Sequence, residues 1–226
     1  MFHYIKKAKN YWVSDASFVT LLVMLLFTVF VLPVMIEREG DTTVFLNIMF
    51  ILLFFVGIFS AREKGFLIAS ISMVTMHLLL RLIRFTDIPY DFYLFERFVI
   101  ILNLLLLIFI NFRLLFRDQE VNTYRVVGAI NVYLLVALAG AFGFEYIHIL
   151  TGQSIGGDIE LTGKDEDFGD FMYFSLVCTS TVGFGELYPV GITAKMLSVF
   201  LSVTGILYPA VVIAKLVSSV SFKNKD

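Results

Sequence analysis

The chain alternates long apolar stretches with short polar ones. Asp, Glu, Lys and Arg are missing from residues 16–36, 42–61, 65–80, 98–112, 126–144, 171–185 and 196–214. Crossing a hydrocarbon layer takes about 20 apolar helical residues. Six of the runs therefore predict spanning helices, at about 16–36, 43–61, 65–84, 93–112, 125–148 and 191–217. The seventh differs. Its helical part covers 168–179 and gives way to a glycine-rich stretch. Eleven or twelve helical residues rise only about 16 to 18 Å, roughly half of a ~30 Å layer. That segment predicts a re-entrant helix, which enters the layer and turns back. The fold class is thus an all-α membrane protein, with six transmembrane helices plus one re-entrant helix.

Composition agrees and narrows the chemistry. Of 226 residues, 59% are hydrophobic and 16% charged, against roughly 45 to 50% and 25% in a soluble domain, which excludes a soluble globular protein. Cys178 is the single cysteine, so no intrachain disulfide forms, and no Cys/His cluster has metal-ligand spacing. The spans hold no paired carboxylates and no Ser/His constellation. We expect no enzymatic activity, no organic cofactor and no nucleic-acid partner; the surroundings are membrane lipid.

Orientation follows from Lys and Arg bias near the ends of spans. With both termini cytoplasmic, eleven of the 17 bases and five of the 19 acids fall inside, leaving +6 inside and -8 outside. The expected placement is multi-pass in a cell membrane. Tyr4, Tyr11 and Trp12 beside Lys6, Lys7 and Lys9 suit an interfacial amphipathic segment over residues 1–15, or else a plain polar extension. Helices 1 to 4 are joined by short loops, whereas helices 5 and 6 flank about 40 residues that hold the re-entrant segment. The chain therefore divides near residue 120, within Arg117-Asp118-Gln119-Glu120, into a four-helix domain (1–120) and a second domain (121–226). About nine residues follow the last span, and no cytoplasmic ligand-binding domain is expected among them.

After the short helix comes Cys178-Thr179-Ser180-Thr181-Val182-Gly183-Phe184-Gly185-Glu186-Leu187-Tyr188-Pro189. Irregular backbone at membrane depth is tolerated only where it is buried in protein or lines a wet cavity. Gly183 and Gly185, alternating with Val182 and Phe184, allow successive carbonyls to point one way. Four such chains around one axis would stack rings of oxygens that replace the water shell of a cation.

At Thr181 to Gly185 the sequence resembles the potassium channel family, whose filter reads Thr-Val-Gly-Tyr/Phe-Gly. The strong resemblance covers about 168–217. It implies a homotetramer in which Thr181, Val182, Gly183, Phe184 and Gly185 coordinate permeant K⁺, with the K⁺ sites at Thr181, Val182, Gly183 and Phe184. Two positions depart from the family pattern. Cys178 stands where a threonine is usual, and Glu186 where an aspartate is. That acid commonly braces the filter against an aromatic residue of the pore helix, here Tyr173 or Phe174, and the longer Glu186 predicts a weaker brace. Asp158, Glu160, Asp165, Glu166, Asp167 and Asp170 face only Lys164, which makes either a cation funnel or a merely solvated outer loop.

The layout also looks like that of voltage-gated channels, but helix 4 carries Arg97 and Arg113 with Ile100, Asn103, Leu106 and Phe109 between them. A unit charge crossing the field yields about 2.3 kcal/mol per 100 mV, so strong voltage gating is not expected. His77, Arg81 and Arg84 form a stripe in helix 3. Arg81 and Arg84 are expected to snorkel to the headgroups, and His77 either acts in function or hydrogen-bonds a neighbouring helix. Glu145 and His148 could pair behind the filter. In helix 6, Pro209 lacks an N–H for the carbonyl of Gly205, where the resemblance places a hinge glycine, so a bend is expected. Ile206, Pro209, Ile213 and Val217 share one face as candidate inner-gate rings; otherwise that face packs on helix 5 and Ser198, Ser202 and Ser218 line the cavity. The expected function is a potassium-selective channel that is not strongly voltage-gated. The rivals are a weakly selective cation channel and, from another class, a potassium transporter subunit, whose four pore repeats per chain are not found here.

Overall fold

The computed structural model describes residues 17–38, 43–58, 64–84, 92–117 and 123–223. The expected interfacial segment 1–15 and the stretch 118–120 of the domain boundary lie outside the described residues, as do the side chains of Arg84 and Ser218.

Helix α1 (Ser17–Leu26) runs through a π-helical turn, Phe27–Val31, into α2 (Leu32–Arg38). Pro33 is the cause. It offers no N–H to the carbonyl of Val29 and its ring crowds that carbonyl, so the turn widens and the Leu32 N–H donates to the Phe27 carbonyl five residues back. Next come α3 (Thr43–Ile58), α4 (Lys64–Arg84), α5 (Tyr93–Arg117) and α6 (Thr123–Thr151). The short α7 (Phe168–Thr179) and the long α8 (Gly191–Lys223) complete the helices. Among the described residues five stretches are long and apolar enough to cross a membrane, 18–37, 65–83, 93–113, 124–151 and 191–215. At 16 residues, α3 rises about 24 Å and is shorter than the second expected span, whose last residues, 59–61, are outside the described set. The protein is an all-α membrane protein.

Apolar faces gain little by leaving lipid for one another, so close packing and interhelical hydrogen bonds hold such helices together. Phe50 of α3, Phe142 of α6 and Phe168 of α7 meet with ring centroids 5.1, 5.7 and 5.9 Å apart. Asn131 Nδ2 donates to the Phe18 carbonyl (3.0 Å), Asn103 Nδ2 to the Met73 carbonyl (3.4 Å) and the Tyr208 hydroxyl to the Ala129 carbonyl (2.9 Å). Each such bond contributes about 0.6 kcal/mol. Both α1 and α5 pack on α6 of the same chain.

Outside the helices, β1 (Ile155–Gly156) pairs antiparallel with β2 (Tyr188–Pro189), Ile155 opposite Pro189 and Gly156 opposite Tyr188. This small ladder ties the loop after α6 to the chain just beyond the glycine-rich segment.

Candidate functional site

The short helix α7 is held on three sides, by α2, α6 and α8. Phe168, Phe171, Met172, Phe174, Ser175, Val177 and Thr179 are all buried. The Ser175 hydroxyl donates to the Ala137 carbonyl of α6 (2.6 Å). The last carbonyls of a helix lack intrahelical partners, and two hydroxyls supply them here. Ser202 Oγ donates to the Cys178 carbonyl (3.0 Å), and the Tyr133 hydroxyl to the Thr179 carbonyl (3.2 Å). Gly205 packs so closely on the Thr179 carbonyl that a Cβ there would overlap it. Helices α6, α7 and α8 thus converge on the point where α7 ends and its negative dipole is directed.

Beyond that point the backbone changes character. The Ser180 N–H still reaches the Leu176 carbonyl (2.8 Å) and the Thr181 N–H the Cys178 carbonyl (3.1 Å). Then every second residue has positive φ: Thr181 at 60°, Gly183 at 57° and Gly185 at 94°. Nothing lies within 4 Å of a Cβ built on Gly183 or Gly185, so glycine is required there by backbone conformation and not by space. Thr181, which has a Cβ, holds its positive φ at a cost of order 1–3 kcal/mol. All residues from Thr181 to Glu186 are exposed in the single chain. Among the described residues no backbone N–H donates to the carbonyls of 181–185 outside regular elements.

Of the two aromatic candidates for the brace, Tyr173 makes it: its hydroxyl donates to Glu186 Oε1. Phe174 does not. It is buried against Phe144, ring centroids 4.8 Å apart. The six acids of the outer loop do not act alike either. Asp158, Glu160 and Glu166 are exposed, but Asp165 and Asp167 are buried. Asp167 Oδ2 accepts from the N–H groups of Thr162 (2.7 Å) and Gly163 (2.6 Å) and from Thr162 Oγ1 (3.1 Å), which folds the loop onto the start of α7. Asp170 is half-buried. Burial first, then Asp167 and Glu37, push its carboxyl above the usual range.

On α8, Ile206, Ile213 and Val217 are exposed and Pro209 half-buried. The helix continues unbroken through Pro209. Val212 packs against Leu115 and Ala129 with Tyr208 beside it, while Ser198 donates to the Ala194 carbonyl (2.9 Å) and Ser202 faces α7. The face carrying Ile206, Ile213 and Val217 is therefore turned away from α6.

The largest departure from expectation is a buried charge cluster. Arg81 does not snorkel: it is 2% exposed, with Nε 2.9 Å from Glu96 Oε1 and Nη1 3.7 Å from Asp165 Oδ2. Arg97, 1% exposed, places Nε 2.8 Å from Glu145 Oε1 and donates through Nη2 to Asp165 Oδ1 and to the Tyr93 hydroxyl. Tyr93 in turn donates to Glu145 Oε1 (2.6 Å). Glu145 is thus held by Arg97 and Tyr93 and not by His148, which stacks edge-on against Phe171. Removing one partner of a buried pair costs about 3–5 kcal/mol, because the other charge is left uncompensated. His77 packs edge-on against Phe54, and neither ring nitrogen has a hydrogen-bond partner among the described residues. Sequence reasoning missed the cluster, although opposite charges placed just beyond the ends of separate apolar runs were a signal for it.

Residues 132–221 match a protein-family model described as Ion channel. The match takes in most of α6, all of α7, the glycine-rich segment and nearly all of α8. No curated protein matches the chain. Over that part the chain is similar to ion channels, which points to a transport protein.

Proposed function

We propose that the protein is a potassium-selective channel of a cell membrane, formed by four copies of the chain. Each subunit has six spans, with α3 as the second, and both termini are cytoplasmic. Thr181, Val182, Gly183, Phe184 and Gly185 of each subunit line the fourfold axis, and K⁺ sits between successive oxygen rings at Thr181, Val182, Gly183 and Phe184. One observation carries the reading above the rest: positive φ recurs at 181, 183 and 185 in an exposed segment directly after the end of a buried half-length helix. Alternation of this kind turns consecutive carbonyls to one side, as a cation needs. The acceptors at Cys178 and Thr179 and the brace from Tyr173 to Glu186 support it from either end. Cys178 remains a departure that favours weaker selectivity, and it defines the rival, a weakly selective cation channel. Conduction is passive and depends weakly on voltage, as α5 has no arginine ladder.

The test is K⁺ efflux from loaded liposomes. The reading requires flux blocked by Ba²⁺ in wild type and abolished in Gly183→Ala, where a methyl group opposes the φ of 57°. Undiminished flux in Gly183→Ala would remove residues 181–185 from the pathway.

A further inference from the structure

The buried cluster joins three parts of the chain that the glycine-rich segment depends on. Arg97 belongs to α5, Glu145 to α6, and Asp165 opens the 3-10 turn Asp165–Asp167 that leads without a break into α7 at Phe168. The guanidinium is fully enclosed. It lies over the Tyr93 ring at 4.3 Å and near the Phe142 ring at 5.5 Å, while its fork bonds Glu145 and Asp165. A planar fork held on two carboxylates and two rings has few ways to move. On the other side of the turn, Asp167 fixes the loop and Phe168 is wedged between Phe50 and Phe142. Displacement of Asp165 is therefore passed to the outer end of α7. That helix carries Tyr173, whose hydroxyl holds Glu186, the residue next to Gly185.

We propose that Arg97 is a positioning residue for the filter: by clamping Asp165 to Glu145 it fixes the outer end of α7 and, through Tyr173 and Glu186, the conformation of Thr181–Gly185. The four-helix domain then acts on the filter from the outer side of the membrane, and a shift of α5 against α6 changes permeation before it changes the inner mouth. This rests on the reading of 181–185 as the filter.

The experiment compares Arg97→Gln, Arg97→Lys, Asp165→Asn and Tyr173→Phe in planar bilayers, using tetramers verified by size. Na⁺ to K⁺ permeability ratio and decay of the current during sustained conduction are read together. Arg97→Gln and Asp165→Asn are expected to raise the ratio or speed the decay on the order of tenfold, the equivalent of one lost charge-assisted bond. Arg97→Lys, which keeps the charge without the fork, falls between. Since one path is involved, Asp165→Asn combined with Tyr173→Phe adds little to either alone. Asn103→Ala, which loosens α5 from α4 away from the cluster, leaves both readouts unchanged. Wild-type values in Asp165→Asn, full additivity in the double variant, or the same shift in Asn103→Ala would each overturn the inference; if Arg97→Gln does not assemble, Asp165→Asn and its double variant decide alone. A wild type without K⁺ selectivity would overturn the filter reading as well, whereas a selective wild type with unchanged variants overturns only this one.

Discussion

Gly205 of α8 rests directly on the carbonyl of Thr179, the last residue of α7, with no room for a Cβ. This gives the glycine a packing role apart from flexibility: it lets α8 approach the point from which the glycine-rich segment starts. Gly205→Ala is expected to destabilise the assembled protein by about 1–3 kcal/mol, since the methyl must push two helices apart. Thermal unfolding in detergent measures this. A pure hinge predicts wild-type stability with altered opening, and that outcome would exclude the packing role.

The exposed face of α8 makes a second prediction. Ile213 and Val217 face away from the helices of their own chain, as residues that meet their copies near an axis would. Rings of apolar side chains in a narrow mouth close it by dewetting. Ile213→Asn and Val217→Asn are expected to raise resting conductance roughly severalfold by hydrating the constriction. Wild-type currents from both, in channels verified in the membrane, would place the gate elsewhere, with the filter the next candidate.

How far the sequence alone reaches is plain from α7 and Arg81. The bounds 168–179 could be read directly, because acids and a glycine precede the helix and a Thr/Ser/Gly stretch follows it, so both ends are marked locally. The partners of Arg81 could not be read in this way. Its nearest carboxylates, on Glu96 and Asp165, belong to other elements, and an arginine at the end of an isolated span has headgroups within reach. Only the packing of α4, α5 and α6 removes that route. The same holds for Glu145, whose neighbour in sequence is His148 and whose partner in space is Arg97, and for the choice of Tyr173 over Phe174, which turns on the rotation of α7 against α6.

Acid outside the membrane gives a third prediction. The Asp170 carboxyl sits above the usual range, so on acidification it takes up a proton at higher pH than an ordinary aspartate does, and the start of α7 loses negative charge there. One unit charge about 10 Å from the path alters the local cation concentration about twofold in water. With one such charge on each of four subunits, conductance at low K⁺ should fall by at least about that factor as the external pH drops, with a midpoint above the ordinary aspartate range. Asp170→Asn should show the lowered conductance already at neutral pH and lose that step. An unchanged pH profile in Asp170→Asn would assign the sensitivity to another group.

The central claim is that residues 181–185 select K⁺, and the most direct measurement is the reversal potential of the purified protein in a planar bilayer with K⁺ on one side and Na⁺ on the other. Each tenfold of selectivity moves the reversal potential by about 59 mV for a monovalent ion. A displacement beyond that value is expected, with the sign of a K⁺ current; a reversal near zero under the same gradient would rule out K⁺ selectivity and leave a weakly selective cation channel.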